Sequence, residues 1–160
     1  RGWGMFETPF GDVAVIDLIG RCGMDANFDN PFFKMDEILS ADDADVTLVD
    51  FHAEATSETL AMAWYLDGRA QALWGTHTHV PTADCQTLPG GIGCVCDLGM
   101  TGPAYSVIGI RPEQAINRFL GGLPQRFQPA EGPCKLNAVL FTIDTAHRRC
   151  TAVERVDIEG

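Results

Sequence analysis

No apolar stretch in this chain approaches the eighteen or so residues that a membrane-spanning helix needs. Residues 1–10 lack the apolar core of a signal peptide. There is no Cys-x-x-Cys, no internal repeat, no low-complexity segment and no interdomain linker. Positive charge is scarce: 11 Lys and Arg stand against 22 Asp and Glu, a formal net charge of −11. Nucleic-acid duplexes and anionic membranes both reward basic patches, so neither is expected as a partner. A small anionic substrate stays open, because a bound cation can invert the local field. The first residue is Arg1 and not an initiator methionine. Processing, or membership of a longer polypeptide, is the expectation there.

What remains is an ordinary globular composition, 46% hydrophobic and 21% charged over 160 residues. Residues 1–160 are expected to form one domain, burying roughly 68–70% of the unfolded surface with no need of a disulfide or structural metal. The six cysteines, Cys22, Cys85, Cys94, Cys96, Cys134 and Cys150, are scattered. They are expected to be reduced core residues of a cytoplasmic protein, with Cys94 and Cys96 facing the same side of a strand.

The most informative stretch is Gly75-Thr76-His77-Thr78-His79. It follows an apolar run, Ala70 to Trp74, that reads as a buried strand. In an extended segment residues i and i+2 point to one side, so His77 and His79 are expected to present two imidazoles together. Such a pair suits transition-metal ions. A third histidine, His52, closes another apolar run, Val46 to Val49, followed by Asp50 to Glu54. Ser57 is the expected N-cap of a helix through Leu60, Trp64 and Leu66, ending at Asp67-Gly68. Strand, loop, helix, strand is the arrangement of a βαβ unit, which sets two parallel strand ends side by side and brings His52 towards His77 and His79. His147 is expected in an exposed turn and is not counted as a ligand.

Elsewhere, Met5 to Gly20 reads as a hairpin turning at Pro9 to Asp12. Asp25 to Pro31 reads as a polar loop, Phe32 to Leu39 as a short helix and Ala41 to Asp45 as a solvated acidic run. Asp17, before Gly20, is read as structural and not as a ligand. Gly93 to Leu98 is a further strand, and Pro112 opens a helix reaching Leu120. Leu136 to Ile143 and Thr151 to Ile158 read as antiparallel strands.

Val49-Asp50-Phe51-His52-Ala53-Glu54-Ala55-Thr56-Ser57-Glu58 and Gly75-Thr76-His77-Thr78-His79-Val80-Pro81-Thr82-Ala83-Asp84 resemble the YmdB-like metallophosphoesterases, bacterial calcineurin-like phosphodiesterases associated with cyclic nucleotides. Leu88-Pro89-Gly90-Gly91 and Asp97-Leu98-Gly99-Met100-Thr101-Gly102 match as well. Gly20-Arg21, Asp29-Asn30-Pro31-Phe32 and the Phe119 to Phe127 segment match more loosely. The resemblance implies an α/β fold, part of a β-sandwich with helices on its outer faces in αββα layers. It implies a phosphodiesterase site with two divalent transition-metal ions (Fe, Mn or Zn). His52 and His77 would bind one ion and His79 the other.

The family's other ligands, an Asp, a bridging Glu followed by Asn, and an Asn-His pair with the general-acid His, have no counterpart here. The resemblance implies that the chain corresponds to the family's C-terminal portion, and the family's N-terminal half is expected to lie outside it. Thr59, Cys85-Gln86, Cys94 and Cys96 depart from the family's usual residues at surface and packing positions. The expected function is metal-dependent hydrolysis of a small phosphodiester, with at most one metal for this chain alone and association with a second copy. The alternatives are a non-catalytic remnant or interaction module that kept the fold, or a mononuclear metal hydrolase with a three-histidine site.

Overall fold

The computed structural model describes every residue except Arg1, Ala26 and Asp42. The readings made for the opening residue, for that position of the polar loop and for that position of the acidic run lie outside the described residues.

Turn chemistry starts the fold. Gly11, at φ 114°, closes a two-residue turn between β1 (Trp3–Thr8) and β2 (Gly11–Ile19), which pair antiparallel. The chain then crosses over through α1 (Pro31–Ala41) to β3 (Val46–His52), and through α2 (Thr56–Leu66) to β4 (Ala72–Thr76). Asn30 starts α1: its side-chain oxygen accepts the Phe32 N–H at 3.0 Å, and Pro31 takes the first helical position, where no N–H is needed. After β4 come β5 (Gln86–Thr87) and β6 (Gly93–Val95). The six strands form one sheet in the order β1-β2-β3-β4-β6-β5, with β2, β3, β4 and β6 mutually parallel. The expected βαβ unit is therefore present as β3-α2-β4.

Alternation along the strands decides the layers. Ile16, Val49, Phe51 and Leu73 lie in one core with Met35 and Ile38 of α1 and Met62, Ala63 and Leu66 of α2. Fully burying side chains of this size is worth about 1.5–3 kcal/mol each. The remaining elements are β7 (Thr101–Pro103), α3 (Pro112–Phe119), β8 (Cys134–Asp144) and β9 (Arg149–Glu159). β7, β8 and β9 make a second, antiparallel sheet, whose β9 packs on β5 and β6. Trp74 of β4 meets Phe141 of β8 at 6.1 Å between ring centroids. The result is a mixed α/β fold with two sheets and three helices among the described residues.

Several boundaries differ from expectation. β3 and β4 run on to His52 and Thr76, because parallel pairing joins backbones whatever the side chains are; the register sets His52 opposite Thr76. The strand expected over Ala70 to Trp74 starts two residues later and runs through Gly75 to Thr76. Ser57 is not the cap of α2: Ala55 holds that position, with no side-chain hydrogen bond. All six cysteines are free, but only Cys94, Cys96 and Cys150 are buried, whereas Cys22 and Cys134 are exposed. Burial, with the charges of Asp84 and Asp67 adding to it, pushes the Cys94 thiol up to about 11, which keeps it an inert core residue.

Candidate functional site

Parallel strands deliver their C-terminal ends to one edge of a sheet, and the loops that follow them form the usual place for chemistry. Here Ile19 of β2 lies opposite His52, and His52 lies opposite Thr76. Three loops consequently start side by side, after β2, β3 and β4.

Asp50 and His52 share a face of β3, and Thr76 faces them from β4. The Thr76 hydroxyl donates to Asp50 Oδ1 at 3.0 Å and lies 3.0 Å from His52 Nδ1. Burial raises the Asp50 carboxyl above its ordinary value, with nearby Asp17 adding to the rise, while bonds from Thr76 and Trp74 pull the other way. A hydroxyl has one proton, so with Thr76 donating to Asp50 it accepts from His52 Nδ1–H. That assigns the tautomer and leaves Nε2 of His52 with its lone pair exposed to the loop.

His77 occupies that direction. Its Nδ1 lies 3.0 Å from His52 Nε2, and the two rings meet edge to face at 4.8 Å between centroids. Nε2 of His77 lies 3.0 Å from a Glu54 carboxylate oxygen. A continuous row thus runs Asp50–Thr76–His52–His77–Glu54. A metal entering between the two rings would take the place of the proton that His77 shares with His52. The row is also the orientation device that metal-ligating histidines ordinarily have, a carboxylate or hydroxyl on the nitrogen away from the ion.

His79 is placed differently. Its Nδ1 lies 2.9 Å from the Ile108 carbonyl oxygen, which can only accept, so Nδ1 carries the proton and Nε2 is left for a ligand. The segment is not extended as the sequence suggested: His77 has φ 123° and His79 φ 62°. The i, i+2 alternation therefore fails, and the rings reach different partners. The structure brings His52 and His77 together and holds His79 on the Ile108 carbonyl. Among the described residues no three His, Cys, Asp or Glu side chains gather round one point. The donors fit a transition metal in kind, being imidazole nitrogens, but the His52–His77 pair is fewer ligands than a closed site takes.

His147 lies exposed in the turn between β8 and β9, as expected, and bonds Asp144 at 2.7 Å. Asp17 is exposed on β2. Residues that the sequence reading did not single out complete the surroundings. Thr76 and Asp50 orient His52, and the spacing Asp50-x-His52 on one strand face was the available signal. Glu58 gathers the loop after β2: its carboxylate accepts the N–H groups of Arg21 and Cys22 at 2.9–3.0 Å. Arg155 of β9 reaches the loop carbonyls of Thr82 at 3.3 Å and Leu98 at 2.9 Å, bracing the edge from the second sheet.

Residues 1–156 match the family model described as YmdB-like protein. The chain is 46% identical over 147 residues to a 2',3'-cyclic-nucleotide 2'-phosphodiesterase of Bacillus subtilis, covering 91% of this chain and 55% of that protein. Two solved structures superpose with a TM-score of 0.93. One is a hypothetical protein from Thermus thermophilus, at 41% identity, with 99% of this chain and 62% of the other covered. The second, described as a novel phosphatase from Mycoplasma pneumoniae, is 35% identical, with 99% and 57% covered. The chain spans about half the length of the curated relatives it matches.

Proposed function

The chain belongs to the YmdB-like family, and from that premise we propose that it supplies one side of a metal-dependent phosphodiesterase site whose substrates are small phosphodiesters of the cyclic-nucleotide class. The observation that carries the proposal is the His52–His77 pair, with His52 oriented by Asp50 through Thr76. In this proposal His52 and His77 hold one divalent transition-metal ion (Fe, Mn or Zn) and His79 contributes to a second. The remaining ligands and the general acid come from polypeptide beyond this chain. When bound, the metal pair supplies charge neutralisation at phosphorus and an activated nucleophile.

This chain's own residues do the rest of what can be assigned. Asp50 and Thr76 hold the His52 tautomer. Glu54 fixes the outer nitrogen of His77. The Ile108 carbonyl leaves Nε2 of His79 free. Three neutral imidazoles offset no cationic charge, so this chain alone binds at most one metal with useful affinity. The proposed setting is the cytoplasm of a bacterium, which suits six unpaired thiols; no helix among the described residues is long and apolar enough to cross a membrane.

The test is metal content by mass spectrometry with turnover of bis(p-nitrophenyl) phosphate and of a nucleoside 2',3'-cyclic phosphate on the same sample, for this chain and for a polypeptide extended to the relatives' length. One metal or less with slow turnover for the chain, and two metals with turnover roughly 10²–10⁴-fold faster for the extended form, is the expected result. Two metals and brisk turnover in the 160-residue chain would overturn it, and so would an extended form that stays inactive.

A further inference from the structure

Asp97 is 1% exposed, and its carboxylate is used by nothing in the site described so far. Removing a carboxylate from water is costly unless hydrogen bonds replace the lost hydration. Here they do. Oδ2 accepts both the N–H of Thr78, at 2.9 Å, and its hydroxyl proton, at 2.8 Å. Oδ1 accepts the Gly99 N–H at 2.7 Å. The bond to Gly99 is what any turn-forming Asp makes. The two bonds to Thr78 are not needed for that turn. They cross from the loop after β6 to the loop after β4.

Thr78 is the one residue between His77 and His79, and both neighbours have positive φ. Side chains other than Gly hold such conformations only where the surroundings impose them. Two charge-assisted bonds to a single oxygen of a buried, immobile carboxylate are an imposition of that kind. Asp97 is itself fixed: its N–H donates to the Thr82 hydroxyl at 2.9 Å, and its carbonyl accepts the Thr82 N–H at 3.1 Å. The reach between the two loops depends on Gly75. A Cβ there would stand 1.7 Å from the Cys96 carbonyl oxygen, so only glycine lets the two chains run this close.

We propose that Asp97 is a positioning residue: through Thr78 it holds the backbone that aims His77 and His79 at their ligand. The inference rests on the proposed role of these two histidines in holding metal. It predicts that the Thr78 hydroxyl, which touches no imidazole in the hydrogen-bond set of the site, governs how both imidazoles are presented.

The experiment uses the whole chain, with Zn²⁺ alone as the probe in calorimetric titration and histidine ring ¹H–¹⁵N spectra recorded on metal-free protein. Thr78→Val removes the hydroxyl and keeps the shape; Thr78→Ser keeps the hydroxyl. With far-UV dichroism unchanged, Thr78→Val is expected to weaken Zn²⁺ binding about 10–100-fold, the usual cost of losing an orienting partner. It is also expected to shift the ring signals of His77 and His79 while those of His147 stay in place. Thr78→Ser restores both. Asp97→Asn is expected to act in the same direction, and Thr78→Val carries the test if that variant does not fold. A folded Thr78→Val protein with unchanged ring signals overturns the inference. Absence of Zn²⁺ binding in the unsubstituted chain overturns the metal proposal instead, and the ring signals still decide the role of Asp97.

Discussion

His52 Nε2 and His77 Nδ1 lie 3.0 Å apart, although 25 residues separate them in sequence and each stands at or just past the end of a different parallel strand. Parallel pairing makes this contact. Once His52 is set opposite Thr76, the next residue of the second strand can only turn towards or away from the first histidine. The positive φ of His77 accompanies the turn towards it.

The bridging hydroxyl of Thr76 has a measurable consequence. Thr76→Val leaves Asp50 and His52 facing a methyl group. The His52 ring loses the partner that assigns its tautomer, and metal affinity is expected to fall about 10–100-fold, by zinc titration, with the fold kept. Unchanged affinity would show that His52 is oriented by packing alone.

Gly75→Ala is expected to be among the most damaging single methyl additions in the chain. The obstacle is a backbone carbonyl, which cannot rotate away as a side chain can. Overpacking of this kind costs about 3 kcal/mol or more. Urea unfolding is the measurement, and a loss below about 1 kcal/mol, the low end for an overpacked site, would mean that β4 and β6 move apart easily.

A cluster distant from the site sets a pH window. The Tyr65 hydroxyl donates to Asp36 at 2.5 Å and Arg69 bonds the other carboxylate oxygen at 2.6 Å. The Tyr65 bond, and then the Arg69 bond, hold the Asp36 carboxyl below its ordinary 3.8. The same bond to Asp36 raises Tyr65 above 10.0. A depressed carboxyl stabilises the fold above its unfolded value and loses that contribution as pH falls through the folded one. A raised phenol stabilises below its unfolded value and loses the contribution as pH rises through the folded one. The cluster therefore supports the fold across roughly pH 4–10. Melting temperature against pH is expected to fall more gently at both ends in Tyr65→Phe than in the unsubstituted chain; parallel curves would remove the cluster from the account.

Association is expected from the surface at the end of α3. Phe119, Leu120 and Leu123 are more than four-fifths exposed and adjoin exposed Ile116. β1, at one edge of the six-stranded sheet, exposes Met5 and Phe6, but the most exposed large apolar side chains lie at the end of α3 and just beyond it. Light scattering should show dimers or larger species, and Phe119→Glu with Leu123→Glu should return them to monomer. A monodisperse monomer without substitution would count against this.

The βαβ unit was legible because Val46 to Val49 and the run up to Trp74 are apolar stretches of strand length, with a helical pattern between them. The strand ends were not legible: Asp50, His52 and Thr76 are polar, and only the register shows that they continue the ladder. Two short strands, Gln86–Thr87 and Thr101–Pro103, have no apolar pattern at all; pairing alone defines them. Of the site, the residue types and the approach of His52 to His77 could be read. The different partners of His77 and His79 could not, since they depend on positive backbone angles on either side of Thr78, which bonds Asp97 nineteen residues further on. Glu58 and Arg155 were invisible for the same reason, because each acts on the backbone of a segment far away in sequence.

Arg155 gives the site a timetable. Its guanidinium bonds the Thr82 carbonyl, 73 residues earlier in the chain. At about 5–20 residues per second of synthesis, the brace follows the loop out of the ribosome by roughly 4–15 s. For that interval both histidines of the loop are already made while their support from the second sheet is not. Until then the loop is tied to Asp97 through Thr78 and lacks the brace that the second sheet adds last.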